Sequence, residues 1–460
     1  MRRVAPLLLL CIALAGCDDL SDSLNREGDL QTLHAIPDLG QTTYFLRDFV
    51  QANLDYSDSQ NFLRVATGTY PVRFITDAVN DVEPRTLLEF NAVIEADQQY
   101  TYVLTGTSAA PVLTTWQRDR RTFEDDTVLA TQYGHAAMTS AGPVGPLDFY
   151  LEAEGANLPG ATPRASLSYG EALADVDLAP GIDYVLTLTT QGNVADILYQ
   201  SSPFELTGAT NVLFAALDGA DVGTAPFFVR VLGDPLTFAL PDALSPPQLR
   251  AVHAIRDTGP VDFFVDDELL ASAFISNVSF KDVTGYQPNA PEGADLPLDV
   301  TLTSDTNLFT EGLLSLVNGR QNSVYLVGTN ALPSTDQLLD DNRRLADFAK
   351  LRIYSGVTVY SSVDVYLVPD GEDYTLFFPT VPSLPFAADT DYLEFDPDAD
   401  PDTLVVDGYD VYVTPANSPS TLLAGPVDAD LAAGDVSGIV IVDTDTADAV
   451  DLVLLDDLAP

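Results

Sequence analysis

Apolar and polar side chains alternate along this chain in short runs with a period of two, the spacing of half-buried β-strands. Tyr100-Thr101-Tyr102-Val103-Leu104-Thr105-Gly106, Leu298-Asp299-Val300-Thr301-Leu302 and Gly408-Tyr409-Asp410-Val411-Tyr412-Val413 are three of many. Gly, Pro, Asn and Asp punctuate the runs, and helical periodicity is nearly absent. One stretch, 335–344 (Thr335-Asp336-Gln337-Leu338-Leu339-Asp340-Asp341-Asn342-Arg343-Arg344), reads instead as a short helix joining two strand-rich regions.

The strands recur in larger units. Leu249-Arg250-Ala251-Val252-His253 is a strand carrying a histidine, followed by the turn Asp257-Thr258-Gly259-Pro260 and a second strand at Val261-Asp262. The same opening appears at Leu33-His34-Ala35-Ile36 and Gly134-His135-Ala136-Ala137, and at Leu351-Arg352-Ile353-Tyr354, where tyrosine is read in the histidine's place. Asp148, Asp262 and Asp364 mark the start of the second strand, and Thr43 stands there in the first unit. The expected organisation is a leader at 1–17, a tether at 18–29, and repeats at 30–126, 127–245, 246–344 and 345–460. Units of about 100–120 residues built from short strands predict an all-β fold of tandem immunoglobulin-like antiparallel β-sandwiches. The Cys-Trp-Cys core of antibody domains is missing, and the single tryptophan, Trp116, has no counterpart in the other units.

Composition supports packed cores, since 46% of residues are hydrophobic. Charge narrows the partners. The net charge is −49, and Lys281 and Lys350 are the only lysines. Such a surface repels nucleic acid and anionic headgroups. Adaptation to salty surroundings and divalent-cation binding both account for the acidity.

Arg2 and Arg3 precede an apolar run, Val4 to Leu14, too short for a permanent membrane span. It ends in Leu14-Ala15-Gly16-Cys17, which resembles a bacterial lipoprotein signal. That resemblance implies cleavage before Cys17, palmitate-type acylation of it, and a membrane anchor in the cell envelope, periplasmic or at the cell surface. With Cys11 removed, the mature chain has no second thiol, so no disulfide is expected.

Catalytic constellations are absent from the sequence. The three histidines lie one per repeat, a spacing that predicts structural rings rather than a shared zinc site. No Gly-x-Ser-x-Gly elbow or phosphate-cradling glycine loop is present, and carboxylates are too abundant for any pair to stand out. Asp148, Asp262 and Asp364 are expected to bond backbone amides of the preceding turn. The densest acidic loop sets Asp396, Asp398, Asp400, Asp402 and Asp407 at positions one, three, five, seven and twelve, the spacing of calcium ligands. Pro401 sits where such a loop needs glycine, so a solvated hairpin is the competing reading. No other cofactor is expected. Loops at 80–85, 157–163 and 288–297 are candidate recognition inserts.

The pattern Val-His-Ala-x-x-Asp, then Val-Asp-[Phe/Val]-[Phe/Tyr]-[Val/Leu], then Gly-x-Tyr-x-Val resembles the bacterial envelope family of domain of unknown function 4397. The resemblance implies β-sandwich repeats on secreted or lipid-anchored proteins and brings no catalytic mechanism. The expected function is a non-enzymatic binding or spacer module with an unknown protein or glycan partner. An extracytoplasmic hydrolase acting on polysaccharide is the alternative.

Overall fold

The computed structural model describes residues 26–76, 84–121, 123, 127–139, 141–208, 210–219, 225–233, 237–266, 272–305, 307–395, 408–429, 431–446 and 449–458. Cys17, residues 18–25 of the expected tether, residues 80–83 of the expected recognition insert and the proposed calcium ligands Asp396, Asp398, Asp400, Asp402 and Asp407 lie outside the described residues, whereas 27–29, expected in the tether, already belong to the strand Glu27–His34.

Strands dominate, and among the described residues the only helical pieces are two 3-10 turns at Leu158–Gly160 and Tyr374–Leu376. Repeat one shows the plan. One sheet sets Ser59–Ala66, Glu27–His34, Gln98–Thr107 and Ala110–Asp119 side by side, and the other sets Phe49–Leu54, Thr42–Leu46, Gly68–Thr76 and Thr86–Ile94. Alternation puts one row from each strand inside, so Leu30, Tyr44, Val72, Phe74, Tyr102 and Leu104 from both sheets close into one core. Equivalent cores unite Leu129 to Leu240, Leu249 to Leu326 and Ala349 to Val450. Pairing is antiparallel except once per repeat, where the first strand runs parallel to a later one: Glu27–His34 with Gln98–Thr107, Leu129–His135 with Asn211–Asp218, Gln248–His253 with Gln321–Thr329, and Ala349–Ser355 with Val436–Asp443. The chain visits the opposite sheet between the two strands and so returns in the same direction.

The sandwiches are docked rather than strung out. Leu33, Val103 and Trp116 of repeat one pack on Leu213, Ala215 and Leu232 of repeat two. Val252, Tyr325 and Val327 of repeat three pack on Tyr354, Val440 and Leu455 of repeat four. Trp116, without a counterpart in sequence, is spent on this docking: it is buried, and its indole N–H donates to the Gly170 carbonyl of repeat two at 3.0 Å.

The expected helix at 335–344 is a strand through Asp340 and irregular from 341 to 344. Leu332–Asp340 pairs residue for residue with Gln321–Thr329, from Thr329↔Leu332 to Gln321↔Asp340. Two adjacent leucines fit either period, and the open edge of the neighbouring strand decides between them.

Candidate functional site

The repeated histidine organises a local module. The backbone N–H of the residue two positions on donates to its Nδ1: Ile36 to His34 at 3.3 Å, Ala137 to His135 at 3.3 Å and Ile255 to His253 at 3.2 Å. The ring must then carry its proton on Nε2. That N–H faces the carbonyl of Gly40 in repeat one (3.3 Å) and of Gly145 in repeat two (3.2 Å). In repeat three the Gly259 carbonyl acts on the ring in the same way, although Nε2 has no partner at hydrogen-bonding geometry. All three rings are fully buried, and burial lowers their pKa values, that of His34 to about 4 with Arg343 adding to the effect.

A second part of the module escaped the sequence reading. Each histidine carbonyl accepts the third N–H of a four-residue turn: Asp55-Tyr56-Ser57-Asp58, Ser168-Tyr169-Gly170-Glu171 and Ser279-Phe280-Lys281-Asp282. The acidic fourth side chain accepts the first residue's N–H at 3.2, 2.8 and 2.8 Å. The third residue has positive φ in each turn, and the aromatic second residue meets the histidine edge-on. The recurring [Asp/Ser]-[Tyr/Phe]-x-[Asp/Glu] is the signal that would have found it.

Two expectations need correction. Tyr354 does not occupy the histidine position; Ser355 does. His253 lies beside Leu326 and Ser355 beside Ile441 in equivalent pairs, and the Ser355 carbonyl accepts the turn N–H, here from Ala387. A shift of one residue turns a strand side chain to the other face. Tyr354 therefore points out of its own core and stacks on Tyr325 of repeat three, ring centres 4.3 Å apart. The hydroxyl of Ser355 is too short to reach the turn and is buried without a partner. Secondly, Asp148, Asp262 and Asp364 each bond a strand and a loop that follow them, not the preceding turn. Asp148 accepts from Ser166 Oγ and the Gly192 N–H, Asp262 from the Asn277 N–H and Thr303 Oγ1, and Asp364 from the Ser383 and Asn417 N–H groups. Each carboxylate clips a neighbouring strand to a loop; Thr43 instead bonds Asn53 Oδ1 at 3.1 Å.

Among the described residues no group of three or more His, Cys, Asp or Glu converges on a metal position. The loop at 157–163 lines a cavity of about 360 Å³ with Glu152, Glu154 and Gln200 in repeat two.

A cavity of about 630 Å³ opens where repeats one, three and four meet. Three cations line it. Lys350 Nζ is held by the carbonyls of Asp341 (2.7 Å) and Arg343 (3.1 Å) and by Asp341 Oδ2 (2.8 Å), which uses all three of its hydrogens. Arg343 donates to the carbonyls of Pro37 (3.2 Å) and Leu39 (2.7 Å) and to Asp55 (2.7 Å), all in repeat one. Arg352 bonds the Leu339 carbonyl and Asp340. Burial lowers the Lys350 pKa; burial alone would raise that of Asp341, but Lys350 and Arg343 bring it down. The carboxylates Asp389, Asp391 and Glu394 line the same cavity. Burial raises the pKa values of Asp389 and Glu394. Gly40 closes one wall so tightly that a Cβ there would lie 2.7 Å from Glu394 Oε2.

Fold and modules together define a tandem β-sandwich protein of the all-β class. The chain belongs to the family described as domain of unknown function DUF4397, whose model matches residues 28–144 and 247–366. No curated protein matches it. Among solved structures, the Bacillus anthracis TIE protein is similar at 10% identity, over 88% of this chain and 68% of that chain, with a TM-score of 0.14, too low to inform fold or role.

Proposed function

We propose that the protein is a lipid-anchored, non-enzymatic module of the cell envelope that offers the cavity between repeats one, three and four to a hydroxyl-rich or amine-bearing ligand. The carboxylate-rich lining carries this reading: Asp389, Asp391 and Glu394 face the cavity, while Lys350 uses its three hydrogens on protein oxygens and Arg343 and Arg352 are each bonded to an aspartate. An anion would meet three carboxylates there, whereas the hydroxyls of a glycan or an ammonium group find acceptors in Asp389, Asp391 and Glu394. The extracytoplasmic hydrolase remains as a second reading because Glu394, with its raised pKa, lines the same cavity as Asp391, a pairing that could divide into acid and base.

One experiment separates them. The chain from residue 18 onward is passed over a panel of immobilised bacterial polysaccharides, and release of reducing ends is followed alongside. Retention without release is expected, weakened about a hundredfold or more in Asp391→Asn with Glu394→Gln, as for two charged hydrogen bonds lost at about 1.5 kcal/mol each. Release that vanishes in Glu394→Gln would establish the hydrolase, and neither retention nor release would remove the cavity from consideration. Anchoring is tested independently: Cys17→Ser is expected to move the protein from the membrane to the soluble fraction, and unchanged detergent partitioning would refute the anchor.

A further inference from the structure

Repeats three and four meet through one face built twice from corresponding positions. Gln248, Gln321 and Asp340 are neighbours across three strands of repeat three, and Lys350, Val436 and Asp457 are neighbours in the same order in repeat four. Arg250 therefore corresponds to Arg352, and Asp340 to Asp457. The partners are exchanged: Arg250 bonds Asp457, and Arg352 bonds Asp340. Each guanidinium lies over a tyrosine of its own repeat, Arg250 at 4.7 Å from Tyr286 and Arg352 at 4.6 Å from Tyr392. Each tyrosine in turn donates to its own repeat's aspartate, Tyr286 to Asp340 at 2.7 Å and Tyr392 to Asp457 at 2.6 Å. The arrangement is that of an isologous dimer interface written into one chain. All four charged side chains are at most 4% exposed.

Repeat one presents the same face to repeat two with other groups on it. Gln31, three residues before His34, stands where repeat three has Arg250. Arg118, beside Gln99, stands where repeat three has Asp340. Gln132 replaces the arginine in repeat two. The contact is carried by Leu33, Val103 and Trp116 against Leu213 and Ala215 instead.

We propose that this sheet face is a repeat-recognition surface whose partner is another repeat of the same family, turned about a pseudo-two-fold axis, and that the Arg–Asp exchange decides which repeat it accepts. The groups present make the discrimination strong. If repeat one took the place of repeat four, Arg118 would face Arg250, and Asp340 would face only the amide of Gln31. A buried pair of like charges is heavily unfavourable, and Asp340 would lose its bonded guanidinium, keeping Ser323, Tyr286 and the more distant Arg250 at 3.9 Å. Every chain needs such sorting when it carries several copies of one self-complementary face, because the wrong pair buries a similar area of apolar surface. The exchange also matters for repeat four in particular. Beyond Arg352 the chain has no Lys, Arg or His, so its acidic body meets positive charge only through residues up to Arg352. Lys281 adds to this, reaching Asp451 at 2.5 Å.

The test uses the full mature chain and four variants followed by thermal unfolding. Arg352→Asp sets two aspartates face to face, and Asp340→Arg sets two arginines face to face. Each is expected to lower the Tm of the repeat three–four transition by roughly 10 °C. Combining them restores opposite charges across the interface and is expected to recover more than half of that loss. Arg250→Asp with Asp340→Arg has the same composition but swaps charges inside repeat three, leaving both cross-interface contacts repulsive, and is expected to fall below either single variant. A cross-interface swap no better than the worse single change, folded or unfolded, overturns the proposal, as does equal behaviour of the two double variants.

Discussion

Arg343→Ala is expected to destabilise the docked assembly by about 3–5 kcal/mol, the sum of one charged hydrogen bond and two buried carbonyls left without donors. Arg343 belongs to the segment between repeats three and four, yet every partner of its Nη atoms is in repeat one. Its side chain is 4% exposed, and its guanidinium lies 5.6 Å from the Tyr56 ring centre. Tyr56 passes the contact on, its hydroxyl donating to the Asp218 carbonyl of repeat two at 2.7 Å. One side chain thus ties three repeats. Arg343→Lys keeps the charge but cannot span two carbonyls and a carboxylate in one plane, so it should recover only part of the loss. Urea unfolding measures the total. Hydrogen exchange locates it, because the Ala346 N–H bonded to the Asp38 carbonyl should lose protection first. A loss under about 1 kcal/mol, the scale of an exposed ion pair, would show that the contact is incidental.

The same segment connects stability to the cavity. The turn holding Pro37, Leu39 and Gly40 is gripped from one side by Arg343 and from the other by His34, and its Gly40 backs Glu394. The repeated histidine is therefore a framework residue that also shapes a wall of the candidate site. This gives His34 a consequence beyond its own sandwich that His135 and His253, whose turns do not line this cavity, do not share.

What could be read from the chain was local. Alternation located Tyr100 to Gly106 and Val363 to Leu367 as strands, and the pairs Leu147-Asp148, Val261-Asp262 and Val363-Asp364 marked strand starts but not the partners of the carboxylates, one of which lies 41 to 53 residues on in each case. Register by motif failed where the motif degenerated: Tyr354 and Ser355 are adjacent, and only hydrogen bonding to Ala387 and pairing with Ile441 tell them apart. Leu338 and Leu339 were ambiguous until a partner strand was available. The cavity was illegible altogether. Asp55, Arg343 and Glu394 come from three parts of the chain, and no pattern within any repeat says that they meet.

Acid should loosen the fold between pH 6.5 and 4, and the histidines should account for much of the slope. Their pKa values are depressed in the folded state, so over this range the unfolded chain binds protons that the folded chain refuses. Stability is then full above pH 6.5 and falls as pH drops toward the folded pKa. For His34, lowered from 6.5 to about 4, the loss reaches about 3 kcal/mol by pH 4. His135 and His253 are shifted in the same direction and add to it. Two effects oppose the trend. Asp389 and Glu394 have raised pKa values and favour the folded state as they take up protons, and neutralising other carboxylates relieves the repulsion of a chain with net charge −49. A difference measurement removes both. His34→Gln should be less stable than the native chain at pH 7.5, having lost the ring's fit between the Ile36 N–H and the Gly40 carbonyl, by about 1–3 kcal/mol. That gap should close as pH falls to 4, since only the native chain must exclude a proton from position 34. Urea unfolding of both proteins at half-unit steps from pH 7.5 to 4 gives the two curves, and parallel curves would mean that His34 is not held neutral by the fold.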